Sequence, residues 1–310
     1  MADRIMASRP LAAVSRRLTS ERLRILAYHQ VDRPENFAYQ MEVLLRWFRP
    51  VSAWEVLAAR RGERELPRRS VWVTFDDGDP SVVENAAPIL AGLGIPSTMF
   101  VCPSVVDSRR PFWWETVGRA LDQGEVAALE GKAFGKGRLD ELVGHLKRLP
   151  DADRRRLVDD LEQRLAALAG RAYERRQVSS SQLRGYLALG GSLGNHTWDH
   201  PCLDRCPPEV QRSQIIEAHR WLEDFLSSPP VLFAYPNGAA SREAQAVLVE
   251  LGYQAALRFD HRLASTRQPA LRLSRLRVND STSPARFAAI LSGVHPMLHG
   301  LRARFTGRER

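Results

Sequence analysis

Residues 71–78, Val-Trp-Val-Thr-Phe-Asp-Asp-Gly, constrain this chain more than any other stretch. Val71 to Phe75 is short, apolar and rich in β-branched and aromatic side chains, the pattern of a buried strand. Asp76 and Asp77 stand where that strand leaves the core, and Gly78 permits the turn. Two neighbouring carboxylates repel each other unless something holds one of them. A metal ion resolves the conflict if it ligates one while the other serves as a base. Read alone, Asp-Asp-Gly is equally well a plain turn, because Asp and Gly are common turn residues.

A second stretch, Gly194-Asn195-His196-Thr197-Trp198-Asp199-His200-Pro201, adds the partners. Gly190, Gly191 and Gly194 on one side and Pro201 on the other make it a strand end running into a loop. Two histidines four apart have the spacing of a metal clamp, although such a pair taken alone is more often a surface accident. With an aspartate they form a His, His, Asp set that leaves a position open, the composition of a catalytic rather than a structural metal site.

Thr74-Phe75-Asp76-Asp77-Gly78, then His196-Thr197 with His200, then Phe233-Ala234-Tyr235-Pro236-Asn237-Gly238, resemble in order the three motifs of the polysaccharide deacetylases, the NodB-homology enzymes of carbohydrate esterase family 4. The resemblance runs from about Arg24 to Gly293. Tyr28-His29, the run Pro111 to Glu115 and the run Arg275 to Asp280 fit the same subgroup. It implies an α/β fold, a distorted parallel (β/α) barrel of about seven strands with a helical insertion. It also implies metal-dependent removal of an N-acetyl group from an amino sugar, in a polysaccharide, a glycolipid or a nucleotide-linked precursor. Asp77, His196 and His200 would hold a divalent ion, most simply Zn²⁺. The family pattern makes Asp76 the base, assigns the backbone N–H of Tyr235 to the oxyanion, and puts Pro236 and Asn237 beside the substrate. Two departures stand out. Phe233-Ala234 occupies the place where many members carry an arginine that tethers the base, and the late Leu-x-His that supplies the general acid is missing. His29 and His261 are the candidates to replace that acid, although either one taken alone is more often a core or surface histidine.

A strand–helix alternation supports the same architecture from the residues themselves. Strands are expected at Arg24–Tyr28, Val71–Phe75, Ser97–Cys102, a segment ending near Asn195, Val231–Tyr235 and Gln254–Leu257. Helices are expected at Phe37–Phe48, Val82–Leu93, Arg212–Leu226 and Arg242–Leu251. His29, Asp76, Asp77, His196, His200 and Tyr235 all fall at or just past the C-terminal ends of separate strands. In a parallel barrel those ends gather on one face, where active sites sit. Between Asp107 and about Ser181 the strands stop. Leu157, Val158, Leu161, Leu165 and Leu168 recur at helical spacing behind Asp151, which reads as a helical insertion and a candidate lid. At its start Trp113, Trp114 and Glu115 are candidates for a sugar platform or, equally, an aromatic staple fixing the insertion to the barrel.

The net charge of +9 sits at the ends. Residues 1–24 carry six Arg against Asp3 and Glu21, and residues 298–310 four Arg against Glu309, which leaves the body nearly neutral. The expected organisation is a basic extension over 1–23, the barrel over 24–297 with its insertion near 107–181, and a basic tail over 298–310. Basic ends fit solvated tails or peripheral contact with an anionic membrane. No nucleic-acid motif appears, and no obligate protein partner is evident. Leu11 to Val14 is too short for the apolar core of a signal peptide, so a cytoplasmic enzyme is expected. The odd count of cysteines, Cys102, Cys202 and Cys206, argues against a disulfide framework. Cys202 and Cys206, close behind His200, make a His/Cys zinc site the minor alternative. Other readings of the whole chain are a hydrolase of a different linear or cyclic amide on the same fold, and an inactive carbohydrate-binding homologue.

Overall fold

The computed structural model describes residues 9–306, except 127, 130–131, 134–136 and 171. Seven strands, β1 (Arg24–Tyr28), β2 (Ser70–Phe75), β3 (Ser97–Val101), β4 (Gly191–Asn195), β5 (Leu232–Ala234), β6 (Ala255–Leu257) and β7 (Leu276–Arg277), form one sheet in the order β7-β1-β2-β3-β4-β5-β6. A two-residue strand, Arg49–Pro50, adds to β2, and every pairing is parallel. The sheet curls round on itself. Leu273 bridges to Leu257 of β6, and three residues later Leu276 pairs with Leu26 of β1. This is the distorted barrel expected from the sequence.

Twelve helices are described. They are α1 (Arg9–Leu18), α2 (Pro34–Trp47), α3 (Ala53–Arg60), α4 (Ala87–Gly92), α5 (Trp113–Gln123), α6 (Leu139–Leu146), α7 (Asp151–Ala169), α8 (Ser180–Ala188), α9 (Pro208–Leu226), α10 (Arg242–Glu250), α11 (Pro284–Ser292) and α12 (Val294–Thr306). The period-2 alternation of β2 decides which side chains meet which layer. Val71, Val73 and Phe75 face outward and pack with Phe37, Met41 and Leu44 of α2 and Leu90 of α4. Trp72 faces inward among Ile25, Phe100, Leu232, Ala255 and Leu257. Burying such side chains contributes roughly 1.5–3 kcal/mol each, so this register is strongly fixed. It also puts Asp76, four residues beyond Trp72, on the inner face, and leaves Asp77 to turn away.

Two helices differ from expectation, each because of proline. The helix expected over Val82–Leu93 begins as a π-turn, Val82–Ala86, before α4; Pro88 lacks the N–H a regular ladder needs there. The helix expected over Arg212–Leu226 starts earlier, at Pro208, because a proline at the first helical position loses no intrahelical bond. The insertion is real and carries its own small core, built from Val117 and Leu121 of α5, Leu142 and Leu146 of α6, and Val158, Leu161 and Leu165 of α7. The N-terminal extension includes the docked helix α1: Ala12 is buried and the Ser15 hydroxyl donates to the Ser292 carbonyl at 2.7 Å. Helix α12 runs across the boundary drawn at 297. Among the described residues no helix is long and apolar enough to cross a membrane.

Candidate metal centre

The site grows from the ends of β2, β4 and β5. The Asp76 N–H still donates to the Tyr28 carbonyl in sheet fashion, at 2.9 Å. Asp77 breaks the strand with φ 70°, and Gly78 follows at φ 86°. That backbone kink divides the two carboxylates, one directed into the barrel and one toward the loop after β4. In that loop Thr197 and His200 also hold left-handed backbone, at φ 71° and 59°, as does Asn237 after β5, at φ 56°. Positive φ at four non-glycine residues around one opening is the kind of strain that gathers at functional sites. The loop is pinned from two sides. The Asn195 side chain accepts from the Thr197 N–H at 2.7 Å, and Gln214 of α9 accepts from the Asp199 N–H at 3.1 Å.

Asp77, His196 and His200 each offer one atom within 4.8 Å of the others. Asp77 Oδ1 lies 3.3 Å from His196 Nε2 and 3.5 Å from His200 Nε2. Neither contact is aligned as a hydrogen bond, and Asp77 Oδ1 is buried without such a partner. The Ala234 carbonyl engages His196 Nδ1 at 2.8 Å, which orients the ring and leaves Nε2 for a ligand. Burial pulls His200 down to about 3 against the opposing charge of Asp77, so it is a neutral imidazole. For Asp77, burial pushes upward, but His200 and His196 outweigh it and hold the carboxyl well below its usual range. A carboxylate, two imidazoles and an orphaned buried oxygen, all converging, fit a divalent ion. Among the described residues no cysteine joins the group. Cys206 Sγ donates to the Cys202 carbonyl, burial pushes the Cys206 thiol up to about 12, and the His/Cys alternative falls.

Asp76 is held otherwise. Both of its oxygens accept from Arg275, at 2.6 and 2.7 Å, with the two side chains almost wholly buried. Burial pushes the Asp76 carboxyl upward, and Arg275 with His196 more than reverses that, so it stays ionised below its ordinary range. The tether missing from Phe233-Ala234 thus comes from the entry to β7. In the sequence it is one of two arginines alternating with Leu276 and Val278 in the run Arg275 to Asp280. His196 Nε2 lies 4.0 Å from Asp76 Oδ2, so base and metal group are neighbours.

The oxyanion assignment needs correction. The Tyr235 N–H donates to the Leu257 carbonyl at 3.0 Å as part of the β5–β6 ladder, and its hydroxyl to the Leu271 carbonyl at 3.0 Å. It has no N–H to spare. Pro236 has none at all, and the next N–H, that of Asn237, has no partner among the described residues. Gly238, at φ 78°, closes this turn where a Cβ would strike the Phe259 backbone at 2.4 Å.

The remaining candidates separate. His29 follows β1, next to Tyr28 whose carbonyl accepts from the Asp76 N–H, and meets Phe259 edge-on at 5.3 Å. It also lines a cleft of about 590 Å³. His261 is not free to serve as an acid: Nδ1 accepts from the Arg277 N–H at 3.1 Å and Nε2 pairs with His295 Nδ1 at 2.8 Å. Trp114 stacks on Phe112 and meets His200 edge-on at 4.6 Å, so it lies at the site. Trp113 packs into the insertion core with Arg154 over its ring, which is the staple. Glu115 is engaged within the protein. It caps α5 through the Phe112 N–H at 2.8 Å and pairs with Arg175.

The sequence profile of the family described as Polysaccharide deacetylase matches residues 63–135 and 145–256, more than half of the chain. YxkH of Bacillus subtilis (strain 168), which carries the same family name, is 18% identical over 281 residues, 88% of this chain and 77% of its own. A poly-beta-1,6-N-acetyl-D-glucosamine N-deacetylase of Staphylococcus aureus is 51% identical over 37 residues, 12% of this chain and 13% of its own. Among solved structures, Streptococcus pyogenes deacetylase PplD in complex with acetate superposes with a TM-score of 0.60 at 18% identity, over 87% of this chain and 98% of that one. IcaB from Ammonifex degensii gives 0.59 at 20%, over 88% and 97%. At these identities the structural likeness establishes the fold.

Proposed function

This chain belongs to the polysaccharide deacetylase family, and from that premise we propose that it removes an N-acetyl group from an amino sugar with the help of a divalent ion held by Asp77, His196 and His200. The observation that carries the reading is the buried Asp77 oxygen, without a hydrogen bond, facing two imidazole Nε2 atoms. When bound, such an ion supplies a Lewis acid for the amide carbonyl and makes a coordinated water easier to deprotonate. The chain's own groups do the rest. Asp76, kept ionised and fixed in two dimensions by Arg275, takes the proton from the attacking water. The Asn237 N–H, held by its left-handed backbone, donates to the oxyanion. His29, at the edge of the cleft, protonates the leaving amine, and Trp114 covers one side of the sugar. Zn²⁺ suits this donor set, as do other late first-row metals. An amine-release assay on N-acetylhexosamine substrates, with the metal removed and restored, tests the reading. Full activity in the chelated, desalted enzyme would sink it.

We also propose peripheral contact with an anionic membrane. Leu11, Val14 and Leu18 lie on one outward face of α1, with Val14 57% and Leu18 79% exposed, and Arg17 and Arg22 flank them. Apolar residues rimmed by arginines match a negatively charged interface. Co-sedimentation with anionic but not neutral vesicles, lost in Leu18→Asp, is the expected result. Equal recovery with both vesicle types would defeat it.

A further inference from the structure

The cleft beside His29 is lined by Phe259, Arg277, Asn279, Thr282 and Arg286, and among the described residues no carboxylate lines it. Arg277 lies over Phe259, its guanidinium carbon 4.6 Å from the ring centre, and gives Nε and one Nη to the Phe259 carbonyl at 3.0 and 2.5 Å. Its other Nη remains for a ligand. Asp260, the acid whose charge reaches Arg277, is already engaged by Arg258 at 3.7 Å and by the Ser274 hydroxyl at 3.0 Å. A further cation, Lys147, stands at the C-terminal end of α6 in the insertion. It is near enough to Cys202, Asp77 and Arg277 to feel their charges, and it makes no ion pair among the described residues. Burial pulls its ammonium below the ordinary lysine range. Lys147, from the insertion, and Arg277, from the barrel, are thus near enough for their like charges to interact. Asp77 and Asp140 bear on Lys147 and Asp260 on Arg277, and an anion between the two cations would add to that compensation.

We propose that this is an anion subsite, and that the substrate is an N-acetylated sugar carrying a phosphate or carboxylate, which Arg277, Arg286 and Lys147 hold while the amide faces the metal group. The inference rests on the deacetylase reading and names its substrate class. Guanidinium groups with hydroxyls nearby suit such oxyanions, and His29, which lines the cleft, follows Tyr28, whose carbonyl accepts from the Asp76 N–H, so one molecule could span both.

The test has a binding arm and a kinetic arm. In the first, pyrophosphate is titrated calorimetrically into metal-free protein. Binding should weaken at least fivefold in Arg286→Gln and Lys147→Gln and hold in Arg242→Gln, a surface change on α10. Equal binding by all four proteins, or none, overturns the subsite. In the second arm the metal-loaded enzyme is given UDP-N-acetylglucosamine, N-acetylmuramic acid and neutral diacetylchitobiose. At least one anionic sugar should exceed the neutral one tenfold in kcat/KM, and which one does separates phosphate from carboxylate. That preference should fall at least fivefold in Arg286→Gln. Turnover without preference for an anionic sugar defeats this inference alone. Pyrophosphate binding with no deacetylation of any sugar defeats the deacetylase reading and leaves the anion site standing.

Discussion

Asp76 and Arg275 meet inside the barrel through bonds of 2.6 and 2.7 Å, both side chains almost wholly buried. Arg155 of α7 and Asp199 of the histidine loop meet at the seam between insertion and barrel, at 3.0 and 3.2 Å, with the arginine 38% exposed. The two pairs have the same chemistry and nearly the same geometry, but their surroundings make them different devices. In the interior, breaking the pair strands a buried charge, which costs about 3–5 kcal/mol. At the seam, water replaces the lost partner, and such pairs are worth about 0.2–1 kcal/mol. The barrel therefore fixes the reacting groups, and the insertion adjusts them through long side chains that can give way.

The comparison is sharpened first where the effect should be largest. Asp77→Asn or His200→Ala removes a donor from the barrel end, and bound metal should fall together with activity, by about 10³-fold or more. Asp76→Asn should keep the metal and lose about 10²–10⁴ in rate, because only the base is gone. Metal analysis beside turnover distinguishes them, and equal metal loss in both variants would reverse the assigned roles.

Arg275→Met comes next. It leaves Asp76 buried and unpaired, so the protein should lose about 3–5 kcal/mol in denaturant unfolding while Asp76→Asn with Arg275→Met recovers part of that. Arg275 holds the folded Asp76 pKa below its unfolded value. The stability it gives is thus complete above the ordinary aspartate range, near ~3.9, and is lost as pH falls through the folded pKa. In the variant the carboxyl should titrate higher, so the acid limb of the rate profile should move up. An unmoved acid limb would mean that Asp76 is not the group titrating there.

These two outcomes bear on what the sequence could reveal. The metal group was legible because its residues lie in two short runs, and strand ends gather on one face of a parallel barrel. Arg275 could not be placed, because its partnership with Asp76 spans 199 residues and depends on β7 closing beside β1. The Tyr235 assignment failed for a local reason. Whether an N–H is spent in a ladder depends on strand register, and β5 extends its pairing one residue beyond Ala234. Trp113, Trp114 and Glu115 looked like one cluster in sequence, yet helical geometry turns successive side chains about 100° apart, and only Trp114 meets the site. Lys147 gave no signal at all, since nothing in its neighbours marks a lysine that will feel the charge of Asp77, 70 residues earlier in the chain.

Trp114→Ala moves to the insertion side. Its edge-on contact with His200 contributes roughly 0.5–1.5 kcal/mol, so kcat/KM should fall about tenfold with metal content unchanged. A loss as large as that of His200→Ala would make Trp114 part of the metal group's support and erase the distinction between rigid barrel and adjustable insertion.

The smallest expected effect belongs to Arg155→Ala, and it probes the seam directly. Arg155 reaches Asp151 on its own helix at 2.7 Å as well as Asp199, so it ties α7 to the residue immediately before His200. Its removal should let the histidine loop drift slightly, because the Asp199 N–H stays fixed to Gln214. KM should rise a fewfold at low salt and kcat should hold. High salt screens exposed charges within a few ångströms, so wild type and variant should converge near 1 M. Arg275→Met has no such route to recovery, since its pair lies out of reach of ions. If salt leaves the Arg155 variant's deficit unchanged, the seam is as rigid as the interior, and the insertion is a fixed wall of the site rather than an adjustable one.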